Sequence, residues 1–298
     1  MVANYKHIQV IINPAAGNNE PILNTLNDVF QKYDAHWDVR ITHGADDGER
    51  LAREAVEAGA DLVAAYGGDG TVGTVARGLI GTDVPLAVLP GGTGNSLAVG
   101  LRIPIGLAAA AEAIFDSVPR KIDLGEANGE RFILRADMGV STRMTQQASR
   151  ELKDRFGMLA YVVSAIQALG QPELITFRMM IDGESVETEG IACIVTNLNE
   201  LGAYSQRLNL NVDPGDGLLD LFILKDVGSA VVAAAQIVQS GDEESANLQH
   251  WQGKAITLEA DPIQDYSLDG DPFSQTPLEI QVMPQAVTVL VPTPAEEA

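Results

Sequence analysis

The sequence predicts an α/β protein of two domains, in which a parallel sheet between helices is followed by a β-rich domain. Between residues 7 and 115, four apolar strand candidates alternate with helix candidates, which is typical of a parallel sheet covered by helices. After residue 120 the pattern changes to short strands joined by turns such as Asn128-Gly129, which is typical of hairpins. At 298 residues the chain is long enough for two hydrophobic cores. We expect one domain over residues 1–120 and the other over residues 121–285.

The elements of the first domain follow from two kinds of pattern. Continuous apolar runs predict strands buried on both faces, and these lie at residues 7–12, 37–42, 62–66 and 86–89. Apolar residues at helical spacing predict helices at residues 21–33, 46–58 and 107–115. Two more helices are expected directly after the glycine-rich turns that follow the third and fourth strands.

Shorter apolar segments between turn residues predict the strands of the second domain. They lie at residues 121–127, 131–137, 174–181, 185–190, 191–197, 255–258, 266–268 and 278–283, with another strand after residue 218. A strand at 286–292 is a candidate to return to the first domain. One long helix at 142–169 and a shorter one at 227–239 interrupt the strands, and residues 240–247 are expected to form an acidic surface loop.

Composition argues against several classes of function. The formal net charge of −22 argues against nucleic-acid binding and against general adhesion to anionic membranes, because both would repel a polyanionic surface. The single cysteine, Cys193, excludes an intramolecular disulfide, and the four histidines lack metal-ligand spacing. No apolar run has the length of a membrane span and no signal-peptide pattern is present, so we expect a cytoplasmic protein. A homodimer is left open.

The two glycine-rich turns are the strongest functional signal. The first contains Gly67, Gly68, Asp69, Gly70 and Thr71, and the second contains Gly91, Gly92, Thr93, Gly94 and Asn95. Carboxyl ends of parallel strands lie at one edge of the sheet, where ligands bind in open α/β folds. Glycines there can adopt positive φ and approach a ligand closely, and N–H groups at a helix start favour phosphate. A carboxylate at Asp69 fits beside phosphates only with a cation, so the turns predict a bound Mg²⁺-nucleotide.

Neither turn matches the commonest nucleotide motifs. GxxxxGK[ST] is absent, and Gly92-Thr-Gly-Asn-Ser-Leu97 lacks the third glycine of GxGxxG. The alternative interpretation is that each turn is a tight connection with a helix cap. Asp69 or Thr71 would cap the first helix, and Asn95 or Ser96 the second. Taken alone, either turn favours this alternative.

Taken together, the turns carry a family resemblance. Tyr66-Gly-Gly-Asp-Gly-Thr71 followed by Pro90-Gly-Gly-Thr-Gly-Asn95 resembles the paired signature of the diacylglycerol kinase and sphingosine kinase superfamily, which includes bacterial lipid kinases. The first turn is shared with NAD kinases and resembles a phosphofructokinase turn, whereas the second, PxGTxN, distinguishes the lipid kinases. The resemblance implies a three-layer N-terminal domain like those of phosphofructokinases and NAD kinases. It also implies a C-terminal sandwich-like domain with one long helix, and ATP-dependent phosphorylation of a lipid with Mg²⁺.

Other segments extend the resemblance. Asn13-Pro-Ala-Ala-Gly17 resembles the NPxxG turn that commonly ends the first strand of the family, which implies that Asn13 lies near the nucleotide. Thr42 matches a family position that contacts nucleotide, and a hydroxyl that hydrogen-bonds its own turn is the alternative. Residues 157–166 resemble the family's GxLAY segment within the long helix.

A metal site is implied in the second domain. Asp213-Pro-Gly-Asp-Gly-Leu-Leu-Asp220 resembles the family's DGLLD element, where a structural Mg²⁺ is held. The resemblance implies ligation by Asp216 with the main-chain oxygens of Asp213 and Leu218, and oxygen ligands suit a hard cation. The alternative is an ordinary turn leading into a strand.

The last motif concerns catalysis. Ser267-Leu-Asp-Gly-Asp271 resembles the family's LDGE turn, whose final acid is the expected general base for the lipid hydroxyl. Here that residue is Asp271, which is one methylene shorter than Glu. Asp271 as base and Asp69 as Mg²⁺ contact are then the expected catalytic residues. Many diacylglycerol kinases carry Asp after the asparagine of the second turn, whereas this chain has Ser96, which weakens the assignment of diacylglycerol as substrate.

Three hypotheses follow. The first is an ATP-dependent kinase of diacylglycerol, a sphingoid base or a related lipid. The others are an NAD kinase-like phosphotransferase and a catalytically inactive nucleotide- or lipid-binding relative. A lipid kinase would meet its substrate at a membrane surface through transient peripheral contact.

Six bases lie close together in this otherwise acidic chain and could orient such contact. The alternative is that Arg150, Lys153 and Arg155 pair with Glu151, Asp154 and the acidic second domain. The bases are Arg131, Arg135, Arg143, Arg150, Lys153 and Arg155.

Overall fold

The structure is a computed structural model that describes residues 5–17, 20–139, 173–198, 212–226 and 248–293. The chain divides into two compact units, residues 1–122 with 285–298 and residues 123–284. Among the described helices, none combines the length and the hydropathy needed to cross a membrane. The expected long helix at 142–169, with its GxLAY segment, and the helix at 227–239 lie outside the described residues.

The first unit alternates strands and helices. Its elements are β1 (His7–Ile12), α1 (Ile22–Lys32), β2 (His36–Ile41), α2 (Asp47–Glu57), β3 (Leu62–Gly67), α3 (Asp69–Leu79), β4 (Leu86–Pro90), α4 (Ser96–Gly100) and α5 (Leu107–Asp116). The strands pair in parallel in the order β2-β1-β3-β4. Residue Val289, late in the chain, pairs in parallel with Leu86 of β4. The predicted parallel sheet is confirmed.

The register of this sheet brings several loops to one edge. Ile12 at the end of β1 pairs with Ile41 of β2 and with Tyr66 of β3. Gly67, the last residue of β3, pairs with Pro90, the last residue of β4. All six residues of β3 and all five of β4 are buried, as their continuous apolar runs predict. The segments after β1, β2, β3 and β4 therefore begin at the same level of the sheet.

The regular elements described in the second unit are strands. The strands after α5 are β5 (Ser117–Ala127), β6 (Glu130–Phe132), β7 (Arg135–Gly139), β8 (Ile175–Ile181), β9 (Glu184–Gly190), β10 (Ala192–Thr196), β11 (Leu219–Leu224), β12 (Leu248–Gly253), β13 (Ala255–Asp261), β14 (Asp265–Leu268), β15 (Asp271–Gln275) and β16 (Leu278–Pro292). The ranges of β5 and β16 cross the division between the units. Val289, which pairs with β4 in the sheet of the first unit, belongs to β16.

Two sheets enclose the core of the second unit. One has the order β12-β11-β10-β7-β14-β15, and the other joins β9, β8, β13 and the first part of β16. Buried side chains from both sheets form one cluster, including Phe177 of β8, Leu258 of β13, Val195 of β10 and Tyr266 of β14. The predicted β-rich, sandwich-like architecture is confirmed, and the long helix expected with it lies outside the described residues.

Several predicted boundaries are wrong for identifiable reasons. The single strand expected at 131–137 is two strands, because the N–H groups of Ile133 and Leu134 donate to a side chain, Asp269, instead of to a strand. The strands expected at 278–283 and 286–292 are one strand, β16. The strands β12 and β15 were not predicted. All five residues of β15 are exposed and its second is proline, so neither an apolar pattern nor a regular ladder marks it.

Candidate active site

The two glycine-rich turns contact each other backbone to backbone. The N–H of Gly91 donates to the carbonyl oxygen of Gly67 at 2.8 Å. A Cβ atom built on Gly92 would lie 2.4 Å from the Cα atom of Gly68, a distance that real Cβ atoms do not reach. One built on Gly68 would lie 3.3 Å from the Cα atom of Gly92. Glycine at position 92 is therefore required for the two turns to meet.

The expectation of positive φ at these glycines is wrong. All six glycines of the two turns are described, and none has φ in the left-handed region; the residue that adopts it is Asn95, at φ 47°. Asparagine tolerates this conformation better than most residues. Its buried side chain then closes the second turn, since Oδ1 accepts the Gly92 N–H at 2.9 Å and Nδ2 donates to the Gly92 carbonyl at 2.7 Å.

Asp69 links the two turns instead of capping its own helix. Helix α3 follows Gly68 without a side-chain cap, and α4 follows Asn95 without one, so the capping interpretation is wrong at both helices. Oδ1 of Asp69 instead accepts the N–H of Leu97, in the first turn of α4, at 3.3 Å. Asp69 is partly exposed, and the first N–H groups of α3 have no partner within the helix.

The loop after β1 is joined to the end of β3 and to the first glycine-rich turn through Asn13. Its N–H donates to the carbonyl of Tyr66 at 3.0 Å, and its Nδ2 donates to Oγ1 of Thr71 at 2.9 Å. Its Oδ1 accepts the N–H of Ala15, which shapes the loop as an Asx turn. The sheet edge thus gathers the predicted Asn13 and Thr71 in direct contact.

The remaining predicted residues lie at this edge in different settings. Thr42 is buried, and its N–H donates to the carbonyl of Ile12 at 2.9 Å, with its hydroxyl 3.5 Å from the same oxygen. That hydroxyl therefore contacts the end of β1 and not its own turn. Gly70 and Thr93 are exposed. Uncapped helical N–H groups, exposed turn backbone and a partly exposed carboxylate at one sheet edge suit a phosphate group accompanied by a cation.

Asp271 lies on a rigid hairpin in the second unit. Leu268 and Asp271 pair across β14 and β15, and the two residues between them, Asp269 and Gly270, have φ of 51° and 92°. Two successive left-handed residues in a two-residue connection are typical of a type I′ turn. Asp271 is exposed at the start of β15, so its carboxylate is accessible on a turn with little conformational freedom.

Asp269 anchors this hairpin to the break between β6 and β7. Its carboxylate accepts the N–H groups of Ile133, Leu134 and Arg135 at 3.0, 2.8 and 3.1 Å. Its own N–H donates to the carbonyl of Arg135 at 2.8 Å. Burial raises the pKa of the Asp269 carboxyl, and the three N–H donors act in the opposite direction. Sequence reasoning missed this role, which depends on a contact between segments far apart in the chain.

A buried polar group lies beside the same hairpin. The carboxylate of Asp137 on β7, 1% exposed, is 3.1 Å from Nε of Arg135 and accepts the hydroxyl of Ser267 at 2.8 Å. Arg135 is buried, so it does not belong to an exposed basic surface. Arg131 lies 3.8 Å from Glu126. Both of these bases therefore lie beside acids of their own unit.

The other four bases of the predicted docking face lie outside the described residues. They are Arg143, Arg150, Lys153 and Arg155.

The predicted metal-binding turn makes the hydrogen bonds of an ordinary Asp-rich turn. Oδ1 of Asp213 accepts the N–H of Gly215 at 2.8 Å, and Oδ1 of Asp216 accepts the N–H of Leu218 at 2.9 Å. In the described part of the chain, no group of three His, Cys, Asp or Glu side chains is arranged to hold a metal. Ligation of Mg²⁺ by Asp213, Asp216 and Leu218 stays a prediction.

Two features around that turn nevertheless fit a cation. Burial raises the pKa of the Asp216 carboxyl, and the carboxylates of Asp220, Asp213 and Asp123 raise it further. Asn197, 1% exposed, donates through Nδ2 to the carbonyl of Asp123, while its buried Oδ1 has no partner among the described residues. A cation here would offset the clustered negative charge. Asp123 and Asn197 were not predicted, because they come from segments far from the motif at residues 213–220. Asp220 lies within that motif but was not assigned as a ligand.

A chelation experiment tests the metal prediction. Asp216→Asn keeps an oxygen that can accept the Leu218 N–H at 2.9 Å and removes one negative charge. With Mg²⁺ present, chelation should lower the melting temperature of the wild type and change that of Asp216→Asn much less, because bound metal stabilises the native state by mass action. In chelator the variant should be at least as stable as the wild type, because a carboxyl whose pKa is raised by folding destabilises the fold when ionised. Equal chelator sensitivity of the two proteins would show that this turn holds no ion.

Comparison with known proteins covers nearly the whole chain. A family model for the diacylglycerol kinase catalytic domain matches residues 7–127, and one for the YegS C-terminal NAD kinase beta sandwich-like domain matches residues 135–291. The diacylglycerol kinase of Bacillus subtilis is 30% identical over 297 residues, which span 96% of this chain and 97% of that protein. A Pseudomonas putida protein named "Probable lipid kinase YegS-like" is 30% identical over 288 residues, spanning 95% and 94%. A crystal structure of a diacylglycerol kinase from Bacillus anthracis str. Sterne has the same fold, with a TM-score of 0.79 at 24% identity over 99% of both chains.

Proposed function

Because the chain belongs to the family of diacylglycerol kinases and YegS-like lipid kinases, which are phosphotransferases with an alcohol group as acceptor, we propose that it transfers the γ-phosphate of ATP to a lipid hydroxyl. Diacylglycerols, sphingoid bases and related lipids are the acceptors in question. The protein would meet its lipid substrate through transient contact with a membrane surface.

The observation that carries this proposal is the contact between the two glycine-rich turns, with Asp69 bridging them. Phosphoryl transfer requires mainly that the phosphates be positioned and their charge neutralised. The uncapped N–H groups at the start of α3 would hold phosphate oxygens, and Asn13 and Thr71 would complete the cradle through their mutual hydrogen bond of 2.9 Å. Asp69 would hold Mg²⁺, which when bound supplies positive charge to the phosphates.

Asp271 is the residue we assign as general base. A base must reach the hydroxyl proton of the acceptor, which requires an accessible carboxylate on a fixed support. Asp271 is exposed, and the anchored turn before it limits its movement. In this proposal Asp271 accepts the proton from the lipid hydroxyl while the hydroxyl oxygen attacks the γ-phosphorus and the bond to ADP breaks.

The contact between the turns predicts a strong effect of one methyl group. Gly92→Ala should weaken Mg²⁺-ATP binding by about 5- to 150-fold, since an added Cβ at 2.4 Å from the Gly68 Cα atom must push the turns apart, and such overpacking costs on the order of 1–3 kcal/mol. Isothermal titration calorimetry with Mg²⁺-ATP measures the change. Gly106→Ala is the matched control, since a Cβ there meets nothing within 4 Å. Equal ATP affinity for Gly92→Ala and the wild type would contradict the placement of ATP at these turns.

An acceptor panel tests the function itself. The purified protein is incubated with γ-labelled Mg²⁺-ATP and, separately, diacylglycerol, sphingosine, monoacylglycerol and NAD. We expect label in the lipid extract for at least one lipid and none in NADP, because the second turn is that of the lipid kinases. Label in NADP alone would favour the NAD kinase-like alternative. ATP binding without transfer to any acceptor would favour an inactive relative, with Ser96 and Asp271 as the departures to revert first.

A further inference from the structure

Tyr66 is the one polar side chain in the otherwise apolar strand β3. It immediately precedes the first glycine-rich turn and is completely buried. Its hydroxyl donates to Oε1 of Glu20, before the start of α1, at 2.7 Å. Burial, and to a smaller extent Glu20, raise the pKa of the phenol, so Tyr66 stays a neutral donor at ordinary pH. Tyr66 is therefore a buried phenol near the end of an apolar strand, and its hydroxyl is bonded to a carboxylate.

The ring of Tyr66 lies directly beneath two of the loops at the sheet edge. A Cβ atom built on Gly17, which has φ of 87°, would lie 2.0 Å from the Tyr66 hydroxyl oxygen. One built on Gly91 would lie 2.9 Å from Cζ of the same ring. Both glycines therefore make room for Tyr66. The carbonyl of Tyr66 also accepts the N–H of Asn13 at 3.0 Å.

The hydroxyl also fixes a negative charge. Glu20 follows the loop that begins at Asn13, and its carboxylate accepts the Tyr66 O–H at 2.7 Å. A carboxylate repels phosphate, and a donor that holds the carboxylate in one place limits how near it can come to a bound phosphate. Loss of the Tyr66 hydroxyl would release the Glu20 carboxylate. It would also leave the loop after β1 less firmly held.

We propose that Tyr66 is a positioning residue for the nucleotide, which holds the loop after β1 and the second glycine-rich turn in the ATP-binding arrangement and retains the Glu20 carboxylate. This inference rests on the proposed function, because it assumes that ATP binds at this edge. Tyr66 does not touch the reacting atoms in this account. Its effect should therefore appear in ATP affinity and not in the chemical step.

Tyr66→Phe tests the inference, because it keeps the ring that fills the core and removes only the hydroxyl. We expect the Kd and the KM for Mg²⁺-ATP to rise about 5- to 10-fold, which is within the range for one lost hydrogen bond. The kcat and the KM for lipid should stay close to those of the wild type. Tyr33→Phe is the matched control, since Tyr33 stacks on Phe115 with ring centroids 3.8 Å apart and no bond to Glu20.

The second variant separates the charge from the hydrogen bond. Glu20→Gln keeps an acceptor for Tyr66 and should leave ATP affinity near that of the wild type. Adding Glu20→Gln to Tyr66→Phe should recover part of the lost affinity, because no carboxylate is then released. A purely structural role of Tyr66 would instead lower the melting temperature and leave ATP affinity unchanged.

The outcomes separate this inference from the proposed function. Wild type that binds Mg²⁺-ATP with the same affinity as Tyr66→Phe would overturn the positioning role alone. Wild type that binds no Mg²⁺-ATP would overturn the proposed function together with this inference.

Discussion

Asp69→Asn should lower the rate of phosphoryl transfer by on the order of 10³-fold, comparable to the loss of one preorganised electrostatic contact in other enzymes. Asparagine keeps an oxygen that can accept the Leu97 N–H at 3.3 Å, so the link between the two turns and the melting temperature should be retained. What the variant loses is the charge that we assign to holding Mg²⁺ beside the phosphates. The measurement is the initial rate of lipid phosphorylation at saturating lipid and Mg²⁺-ATP.

The matched control for Asp69 is Asp83→Asn. Asp83 is exposed just before β4, at the opposite strand end from the glycine-rich turns, so its charge should not affect the reaction. Because both variants remove one negative charge from the first unit, a general effect of net charge would appear in both. A folded Asp69→Asn protein with the rate of the control would exclude Asp69 from the catalytic machinery.

Asp271→Asn should lower kcat by about 10²- to 10⁴-fold, the usual contribution of a general base. ATP affinity should be unchanged, because Asp271 lies in the second unit and is assigned no contact with the nucleotide. Asp271→Glu, which restores the acid of the family's LDGE turn, should retain most of the activity, because the proton acceptor is a carboxylate in both. The measurement is kcat for lipid at saturating Mg²⁺-ATP, together with ATP affinity by calorimetry.

Asp265→Asn serves as the control on the same hairpin. Asp265 is exposed on β14, and its carboxylate accepts a hydrogen bond from Gln275 of β15 at 2.8 Å, so it probes the stability of the hairpin without touching Asp271. If Asp271→Asn and Asp265→Asn had the same kcat, proton transfer would have to be assigned to another residue.

The strands of the first unit could be predicted because the pattern that marks each strand lies within a few consecutive residues. A parallel strand buried on both faces must be apolar throughout, so β1 and β3 could be located from their residues alone. The common level of the loops after them follows from parallel pairing. That Asn13 and Thr71 belong together, as their hydrogen bond now shows, was implied by the family resemblance.

What could not be predicted depends on contacts across the fold. The break between β6 and β7 requires Asp269, which is 136 residues from Ile133. The reason for glycine at position 92 is the approach of the Gly68 backbone, and not the positive φ that a single turn suggests. Local patterns carry no information on either contact. The same holds for the cap interpretation, since Asp69 bonds to Leu97 on the next helix.

The acidic turn at residues 213–220 also shows that a local pattern does not reveal contacts with distant segments, here for a motif that was recognised. A local motif predicted Asp216 as a ligand, and the structure places Asp123 and Asp220 close enough to raise the pKa of its carboxyl. Asp220 lies within the motif, whereas Asp123 comes from the start of the unit, so the contribution of Asp123 to the negative charge was invisible in the motif. The chelation experiment therefore tests a site whose charge is defined by the fold and not by the motif alone.

Phosphoryl transfer from ATP to a lipid is tested most directly by the ratio of ADP released to phosphorylated lipid formed in one reaction. Wild type with Mg²⁺-ATP and vesicles containing the best acceptor from the panel is sampled over time. ADP is measured by chromatography and the phosphorylated lipid by mass spectrometry. We expect one ADP per phosphorylated lipid, and we expect the formation of both products to be lost together in Asp69→Asn and in Asp271→Asn. ADP released without phosphorylated lipid, or phosphorylated lipid that still forms in both variants, would contradict the proposed lipid kinase function.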